Sequence, residues 1–548
     1  MSDLKEAHVK DQTDSLSITD KIEMQENILN SEEIDDYIFQ NESWWKYGHL
    51  RLLHLFIFII TLASTNNGYD GSMLNGLQIL PAWQETMGHP TGYKLGSLAN
   101  GTMFGSILAV TVASILTDKA GRKKTVLIGS GIAVIGGILQ GASTNFAFFL
   151  IARIILGFGV GIACTAAPAL IAELSHPTYR SQCTAVYNTL WNLGSIIAAW
   201  VTYGTKIHLP GDKSWRVPSY LQMVMPAIQI LTMWWCPESP RWLIDHGQLE
   251  KARSILFRFH TGGSEDERAV KFVEFEIREI KAALELEKIT TSSRYIDFIT
   301  IKSYRKRLFL VCFTACIMQL SGNGLVSYFL GKVLTSIGIT SQKEQLIING
   351  CLTIYNMVIC VFVAFICHLF RRRTLFLTSI SGMLICYVIW TILSAINQQR
   401  NFEDPSLGKG VLAMIFLFYG CYDIGANGLP FLYATEVLPY THRAKGLNLM
   451  YFTQLLTLVY NGYVNPIAMD AIDWKYYIVW CCFLAFELVI VYFFFIETYG
   501  YTLEEVAVVF GDDATTALHD LSSPVEKSQV EHLEDGSYDN SEKVAAKV

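Results

Sequence analysis

Charged residues are scarce in this 548-residue chain, of which only 17% are Asp, Glu, Lys or Arg. A soluble protein carries about 25%, so the shortage argues against a soluble fold. The 12 cysteines show no CxxC spacing and no disulfide framework, and we interpret them as small reduced core residues. The sequence also lacks a Walker A motif and the GxSxG and HExxH motifs. We therefore expect neither ATP-driven pumping nor an enzyme, and no cofactor, metal site or nucleic-acid partner.

What the chain has instead is apolar sequence: 51% of the residues are hydrophobic and the mean hydropathy is +0.31. The apolar residues fall in runs of about twenty, the length that crosses a bilayer as a helix. These runs do not alternate as barrel strands do, and lipid requires every backbone polar group to be paired within the span. We predict twelve helical spans, at residues 52–74, 95–116, 125–144, 147–171, 185–204, 219–236, 308–331, 346–369, 375–396, 411–433, 447–468 and 475–496.

Polar segments flank and divide the spans. Between the sixth and seventh spans, Val270, Val273, Ile277 and Ile280 recur at helical spacing, which we interpret as a solvated linker helix. The acidic tails carry no secretory signal peptide. The predicted division is an N-terminal tail at 1–49, a six-helix bundle at 50–236, a linker with amphipathic helices at 237–306, a second bundle at 307–496 and a C-terminal tail at 497–548.

Basic residues cluster in short loops on one side of the predicted membrane, at 118–124, Arg180, 371–373 and 442–445. These loops lie on the same side as the N-terminus. Because Lys and Arg are enriched in cytosolic loops, both termini are predicted to be cytosolic.

A charge pattern of the first six spans recurs in the last six. An acid and an arginine seven residues apart follow spans 4 and 10, an acid ends spans 6 and 12, and a basic turn follows spans 2 and 8. The residues concerned are Glu173 with Arg180, Glu436 with Arg443, Glu238, Glu497, and the turns at 118–124 and 368–373. The repeat predicts an all-α membrane protein of twelve transmembrane helices in two pseudo-symmetric six-helix bundles, which rock about a central site.

Several motifs add a family resemblance. They are Gly68-Tyr-Asp70, Asp118-Lys-Ala-Gly-Arg-Lys123, Arg153 with Gly157 and Gly161, Trp215-Arg-Val-Pro218, Pro237-Glu-Ser-Pro-Arg-Trp242 and Glu497-Thr498. With these motifs the chain resembles the sugar-porter branch of the major facilitator superfamily along roughly residues 50–505. Tyr187-Asn-Thr-Leu-Trp191 and the segment from Gln319 to Tyr328 are most similar to fungal lactose-permease-type transporters. The resemblance implies the major facilitator fold, a plasma-membrane location and sugar as the substrate.

The chain departs from the family pattern at several positions. The second basic turn reads His368-Leu-Phe-Arg371, so it is open whether the second half repeats the charged cluster of the first. Met318, Asn323, Gly324 and Phe431 also replace the family's usual residues, which indicates a pocket unlike that of a typical hexose carrier.

Asp70 in span 1 and Arg153 in span 4 are the predicted proton-coupling pair. A carboxylate at mid-bilayer costs about 2.5–3.5 kcal/mol, so Asp70 needs an interior partner. The resemblance implies that these two positions exchange a proton. A static buried ion pair, or an Asp70 exposed at the outer interface, is the structural alternative.

Amides and aromatic rings inside the apolar spans are the predicted sugar contacts, because sugars present hydroxyl rims and C–H faces. The candidates are Gln319, Asn323, Gln454, Asn188, Asn356, Tyr328 and Phe431, with Asn192, Asn461 and Asn465 as weaker ones. The alternative for each amide is a helix–helix hydrogen bond, worth about 0.6 kcal/mol on average. The glycines of span 4 are explained by close helix packing.

Charged residues at the cytosolic ends of the helices are the predicted gate, whose ion pairs would close the inner side. The set is Asp118, Arg122, Glu173, Arg180, Glu238, Arg241, Glu436, Arg443 and Glu497. The alternative is a topology signal of solvated charges. The two conformations of a carrier must differ by only a few kcal/mol, and a breakable cluster allows that balance.

The sequence thus predicts a sugar transporter that works by alternating access, with sugar, proton and lipid bilayer as partners. We expect proton-coupled uptake of a lactose-type disaccharide or a hexose. The alternatives are an uncoupled sugar facilitator and a non-transporting sugar sensor of the same fold. Sugar uptake by proteoliposomes would separate transporter from sensor, and alkalinisation of the medium would separate symporter from facilitator.

Overall fold

The computed structural model describes residues 43–290, 295–366, 369–439, 442–499 and 510. Most of both predicted tails, together with His368, lies outside the described residues. Helix is the regular structure throughout this part of the chain. The helices are α1 Gly48–Leu77, α2 Pro81–Met87, α3 Gly92–Ala120, α4 Arg122–Ala142, α5 Phe146–Leu174, α6 Arg180–His208, α7 Lys213–Leu221, α8 Val224–Thr232, α9 Pro240–Asp245, α10 Leu249–His260, α11 Glu267–Thr290, α12 Asp297–Thr300, α13 Lys302–Leu320, α14 Asn323–Ser336, α15 Gln342–Ile366, α16 Arg372–Gln399, α17 Pro405–Tyr422, α18 Leu429–Val437, α19 Arg443–Ile472 and α20 Tyr476–Phe494.

These helices form the predicted spans. Within the described residues, nine helical stretches are long and apolar enough to cross a membrane, and the last of them, Lys445–Phe494, contains most of α19 and all of α20. The more polar helix α6 supplies span 5, and the broken pair α7 and α8 supplies span 6. Span 7 comprises α13 and α14, and span 10 comprises α17 and α18 with a π-helical turn at Asp423–Asn427 between them. The order agrees with the twelve-helix prediction, and most ends lie a few residues outside the predicted limits.

The two halves share two of their three main helix pairs, since spans 3 and 4 correspond to spans 9 and 10, and spans 1 and 5 correspond to spans 7 and 11. In the first half, the main contacts join spans 3 and 4, spans 2 and 4, and spans 1 and 5. In the second half, they join spans 9 and 10, spans 7 and 11, and spans 9 and 12. The halves meet through two further pairs, spans 2 and 11 and spans 5 and 8. Gly157 explains one close approach, because a Cβ there would lie 2.1 Å from the carbonyl oxygen of Thr102 on span 2. The packing interpretation of the span 4 glycines therefore fits the structure.

Span 7 is interrupted near its middle. Helix α13 ends at Leu320 and α14 begins at Asn323, with Gly322 in the left-handed region at φ 89°. The Tyr387 hydroxyl donates to the Gly322 carbonyl at 3.1 Å, and a Cβ on Gly322 would lie 2.5 Å from that hydroxyl oxygen. Only glycine fits this turn, which lets the second part of span 7, α14, take its own direction.

The linker helices pack against the first half. The predicted amphipathic helix is present as α11, but its apolar face is covered: Phe272 and Val273 are fully buried. Phe259 of α10 packs edge-on against Phe56 of span 1, and Phe272 stacks on His176 after span 4. The expectation of a solvated helix is therefore wrong for this face, since the sequence pattern shows an apolar stripe but not the surface that covers it.

Candidate functional site

The structure brings Asp70 and Arg153 together. Arg153 Nη1 lies 3.1 Å from Asp70 Oδ1, and the two residues are 2% and 5% exposed, respectively. Gln222 of span 6 donates from Nε2 to the same carboxylate oxygen at 2.8 Å, and Arg153 Nη2 donates to Thr102 Oγ1 at 3.3 Å. The carboxylate thus has one cation and one amide as partners, in a site that reaches across spans 1, 2, 4 and 6.

Sequence reasoning missed Gln222. The signal was present, because an amide inside an apolar span needs a partner as a charge does. Tyr328 of span 7, a predicted sugar contact of the second half, meets the first half through its backbone carbonyl, which accepts from Gln78 Nε2 of span 1 at 2.9 Å.

The halves are joined on the side of the membrane opposite the linker, which we call the far side. Asn75, near the end of span 1, donates to Asn349 Oδ1 at 3.2 Å and accepts from the Leu330 backbone N–H at 3.0 Å. Gln78 donates to the Tyr328 carbonyl at 2.9 Å, and Asn100 of span 2 donates to the Val459 carbonyl at 3.0 Å. These bonds link the two halves on the far side.

Asn323 is held at the break of span 7. Its Nδ2 donates to Tyr422 Oη at 3.0 Å, and its carbonyl accepts from Tyr419 Oη at 2.9 Å. Its Oδ1 is buried without a hydrogen-bond partner among the described residues. Gln319, one turn earlier, is also buried, and its carbonyl accepts from Asn461 Nδ2 at 2.5 Å. The break therefore presents amide groups towards spans 10 and 11.

The other sugar candidates have different surroundings. Gln454 Oε1 and Asn356 Oδ1 are buried without a hydrogen-bond partner within the described ranges, so each has an acceptor to spare. Asn188 is exposed, and Phe431 is 44% exposed. Among the weaker candidates, Asn465 accepts from Tyr476 Oη at 2.8 Å, which is the predicted structural alternative.

Two further buried acids in the second half were missed. Asp423 begins the π-helical turn of span 10 and accepts from Asn427 Nδ2 at 2.8 Å. Glu487 of span 12 lies 3.0 Å from Ser321 Oγ, at the break of span 7. Neither forms an ion pair within the part of the chain that the structure describes. An acid within an apolar run was again the available signal. Both acids were overlooked because no arginine nearby indicated a partner.

The charged residues at the linker-side ends form a cluster within the first half. Arg122 Nε lies 3.1 Å from Glu173 Oε2, and Ser239 also donates to Glu173. Glu238 Oε1 accepts the backbone N–H of Lys123 at 2.9 Å, which satisfies a free donor at the start of span 3.

The second half repeats this arrangement. Arg372 Nε lies 3.2 Å from Glu436 Oε1, Thr498 donates to Glu436 at 2.5 Å, and Glu497 Oε1 accepts the Arg372 backbone N–H at 2.8 Å. Arg372 thus takes the place of Arg122, and the cluster forms although the second turn departs from the family pattern. His368 lies outside the described residues.

Two of the remaining predicted gate residues, Asp118 and Arg180, are exposed. The described ion pairs of the cluster join spans of the same half. Their part in gating stays a prediction. Within the described residues, no group of three or more His, Cys, Asp and Glu side chains could hold a metal ion.

Comparison with known proteins agrees with this architecture. The sequence family described as "Sugar (and other) transporter" matches residues 56–510. The MFS-type transporter oryC of Aspergillus oryzae is 30% identical over 82% of this chain and 84% of its own length. The high-affinity glucose transporter of Kluyveromyces lactis is 25% identical over 87% of this chain and 88% of its own length. The myo-inositol transporter 2 of Schizosaccharomyces pombe is 26% identical over 85% and 83%.

Among solved structures, the inward open conformation of the xylose transporter XylE from E. coli superposes with a TM-score of 0.68 at 19% identity, covering 83% of this chain and 99% of that one. This likeness shows the fold. With the family match over most of its length, the chain belongs to the sugar porter family of the major facilitator superfamily, and it is a multi-pass membrane transporter rather than an enzyme.

Proposed function

We propose that this protein takes up a sugar together with a proton at the plasma membrane, with both termini and the linker in the cytosol. The observation that carries the proposal is the buried pair of Asp70 and Arg153, together with the buried amides on spans 7, 8 and 11 that have acceptors to spare. A lactose-type disaccharide or a hexose is the proposed substrate. The relatives support a polyhydroxylated solute, since their names include glucose and inositol transporters.

The pair suits proton exchange because burial and the neighbouring polar groups act on the charge of the Asp70 carboxyl group in opposite directions. Burial disfavours a free carboxylate, while Arg153 and the Gln222 amide favour the charged form. Separation of span 1 from span 4 during the cycle would remove the cation and leave a carboxyl group that takes up a proton. One charge moved through 100 mV yields about 2.3 kcal/mol, enough for roughly fifty-fold accumulation.

The far side is closed by the bonds of Asn75, Gln78 and Asn100, whereas the described linker-side ion pairs do not cross between the halves. This arrangement fits a carrier open towards the linker. It supports alternating access between this state and one in which the far-side bonds are broken.

Proteoliposomes with an imposed pH gradient test the proposal. The unmodified protein is expected to accumulate labelled lactose, cellobiose, galactose or glucose and to move protons with it. Asp70→Asn should abolish accumulation while sugar exchange across the membrane persists. Asp212→Asn is the matched control, because Asp212 belongs to an exposed ion pair with Arg216 in the same half. Accumulation by Asp70→Asn at the unmodified level would refute coupling, and the absence of any sugar flux would favour the sensor.

A further inference from the structure

Glu487 is a buried acid of span 12 that the proposed transport cycle does not use. It is 2% exposed, and its Oε2 lies 3.0 Å from Ser321 Oγ at the break of span 7. No cation of the described residues forms an ion pair with it. Removing a carboxylate from water without a cation is costly, and a buried acid avoids this cost by keeping its proton. The surroundings of Glu487 thus favour the neutral carboxylic acid.

The hydroxyl group of Ser321 provides a second argument, because it has a single hydrogen to donate. Its Oγ lies 2.5 Å from the Ile317 carbonyl oxygen and 3.0 Å from Glu487 Oε2. The Ile317 carbonyl can only accept, so the shorter of the two contacts takes the Ser321 hydrogen. The contact with Glu487 then needs a hydrogen from the carboxyl group, and only the protonated form carries one.

The end of α13 provides a third argument. This helix ends at Leu320, directly before Ser321, and Ile317 carries one of its last four carbonyl groups. The C-terminal end of a helix has a partial negative charge on these carbonyl groups, which disfavours an anion nearby. A neutral carboxyl group that donates to Ser321, which in turn donates to the Ile317 carbonyl, supplies a donor to the helix end without adding negative charge.

We propose that Glu487 is a resident proton site: a neutral carboxylic acid that donates its proton to Ser321 and thereby joins span 12 to the break of span 7. Spans 7 and 12 belong to the same half, so rocking of the two halves does not separate Glu487 from Ser321. The proton therefore stays on Glu487 during transport, unlike the proton proposed for Asp70. Glu487 is a positioning residue that acts through Ser321, and not a second coupling residue.

The alternative is an ionised Glu487 that accepts the Ser321 hydrogen. The two forms differ in their infrared absorption, because a carboxylic acid has a C=O stretching band that a carboxylate lacks. The measurement requires folded protein but no transport, so its outcome does not depend on the proposed function.

Infrared difference spectra between the unmodified protein and Glu487→Gln, recorded in lipid at neutral pH, test the protonation state. An exposed glutamate, with a pKa of about 4.3, is ionised under these conditions. We expect Glu487→Gln to lose one carboxylic-acid band. Glu344→Gln is the matched control and should lose a carboxylate band, since Glu344 is an exposed acid at the start of span 8 in the same half. Loss of a carboxylate band in Glu487→Gln would overturn the proposal.

A second measurement covers the case in which Glu487→Gln does not fold. Labelling the side-chain carboxyl groups of glutamate with heavy carbon should shift the acid band of the otherwise unmodified protein to lower frequency. The same band should move again in Ser321→Ala, which removes the acceptor of the Glu487 proton. A spectrum without a label-sensitive carboxylic-acid band at neutral pH would refute the resident proton.

Transport assays test whether the proton stays on Glu487 and whether it positions span 7. In proteoliposomes Glu487→Gln should move the same number of protons per sugar as the unmodified protein, because its amide keeps a donor for Ser321. Glu487→Ala has no donor and should slow sugar exchange by about tenfold, the effect of one buried hydrogen bond. A lower proton-to-sugar ratio in Glu487→Gln would refute a resident proton, and equal exchange by the Gln and Ala variants would refute the positioning role. Absence of sugar flux in the unmodified protein would instead refute the proposed function and leave the infrared result unchanged.

Discussion

Asn75 provides the sharpest test of the conformational cycle, because one side chain bonds to two elements of the opposite half. Its Oδ1 accepts the Leu330 backbone N–H at 3.0 Å, and its Nδ2 donates to Asn349 Oδ1 at 3.2 Å. All three residues are buried where they meet. The bonds exist only while the far side is closed, so their loss acts on one of the two states.

Asn75→Ala should shift the carrier towards the state that is open on the far side. In the closed state the variant leaves a buried Leu330 N–H without its acceptor, at a cost of about 2 kcal/mol. In the open state water satisfies the same group. A difference of about 2 kcal/mol changes the ratio of the two states by roughly thirtyfold.

Distances between spin labels on the two halves measure this ratio. Labels at Glu85, after span 1, and Lys343, before span 8, report on the far side, since both residues are exposed there. In Asn75→Ala the population with a long distance should grow, and transport should become limited by closure of the far side. Thr86→Ala is the matched control, because its hydroxyl bonds only within its own helix, to the Ala82 carbonyl. An unchanged distance distribution in a folded Asn75→Ala would refute the assignment of this contact as a gate.

Three further predictions concern the rest of the molecule. Burial lowers the pKa of His260, but the Glu276 carboxylate and a backbone carbonyl raise it more, so the pKa lies above the ordinary value of about 6.5. The charged contact between His260 and Glu276 should therefore stabilise the docking of the linker helices below about pH 6.5, and this stabilisation should weaken as pH rises through the raised pKa. Backbone amide hydrogen exchange of residues 249–277 should become faster over that pH range, and His260→Gln should remove this pH dependence. Glu487→Gln should leave thermal stability almost unchanged because its amide can donate to Ser321, whereas Glu487→Lys should cost about 3 kcal/mol as an unpaired charge in the bilayer; a destabilised Gln variant would contradict this. Glu497→Gln should lower thermal stability by about 1 kcal/mol through loss of a charged acceptor at a helix start, and the same change at Glu238 should give a similar loss; unequal losses would argue against equivalent clusters.

The helices and the charged pair could be predicted because membrane physics leaves few alternatives. An apolar run of about twenty residues must be a helix, and a charge within it must have an interior partner. These rules gave the spans and led to Asp70 and Arg153, which the structure places 3.1 Å apart. The proton-coupling role assigned to the pair goes beyond this geometry and stays a prediction.

Features that depend on tertiary packing were not accessible in this way. The break of span 7 requires Tyr387 of span 9 to occupy the space beside Gly322, a contact between distant parts of the sequence. The docking of α11 depends on His176 and other groups beneath the first half, which the helical pattern of α11 does not reveal. Gln222 was overlooked for the same reason, because its importance comes from the carboxylate that it meets.

The charged residues of the two halves are equivalent at the linker-side ends but differ inside the membrane, which indicates two different roles. At the linker-side ends the two halves carry equivalent clusters, with Glu173 and Glu436 each paired to an arginine at the start of a neighbouring helix. Such equivalence suits a structural role that both halves need alike. Inside the membrane the symmetry is lost, since the first half neutralises its acid with Arg153 whereas Asp423 in the second half forms no ion pair among the described residues. An acid that has its own base can exchange a proton when the base moves away, and an acid without one must find its hydrogen-bond donors elsewhere. The division predicts that Asp70→Asn abolishes proton-driven accumulation, whereas Asp423→Asn, which removes no described ion pair, leaves accumulation in place. An equal loss of accumulation in both variants, measured in the same proteoliposomes, would show that the two acids belong to one undivided site.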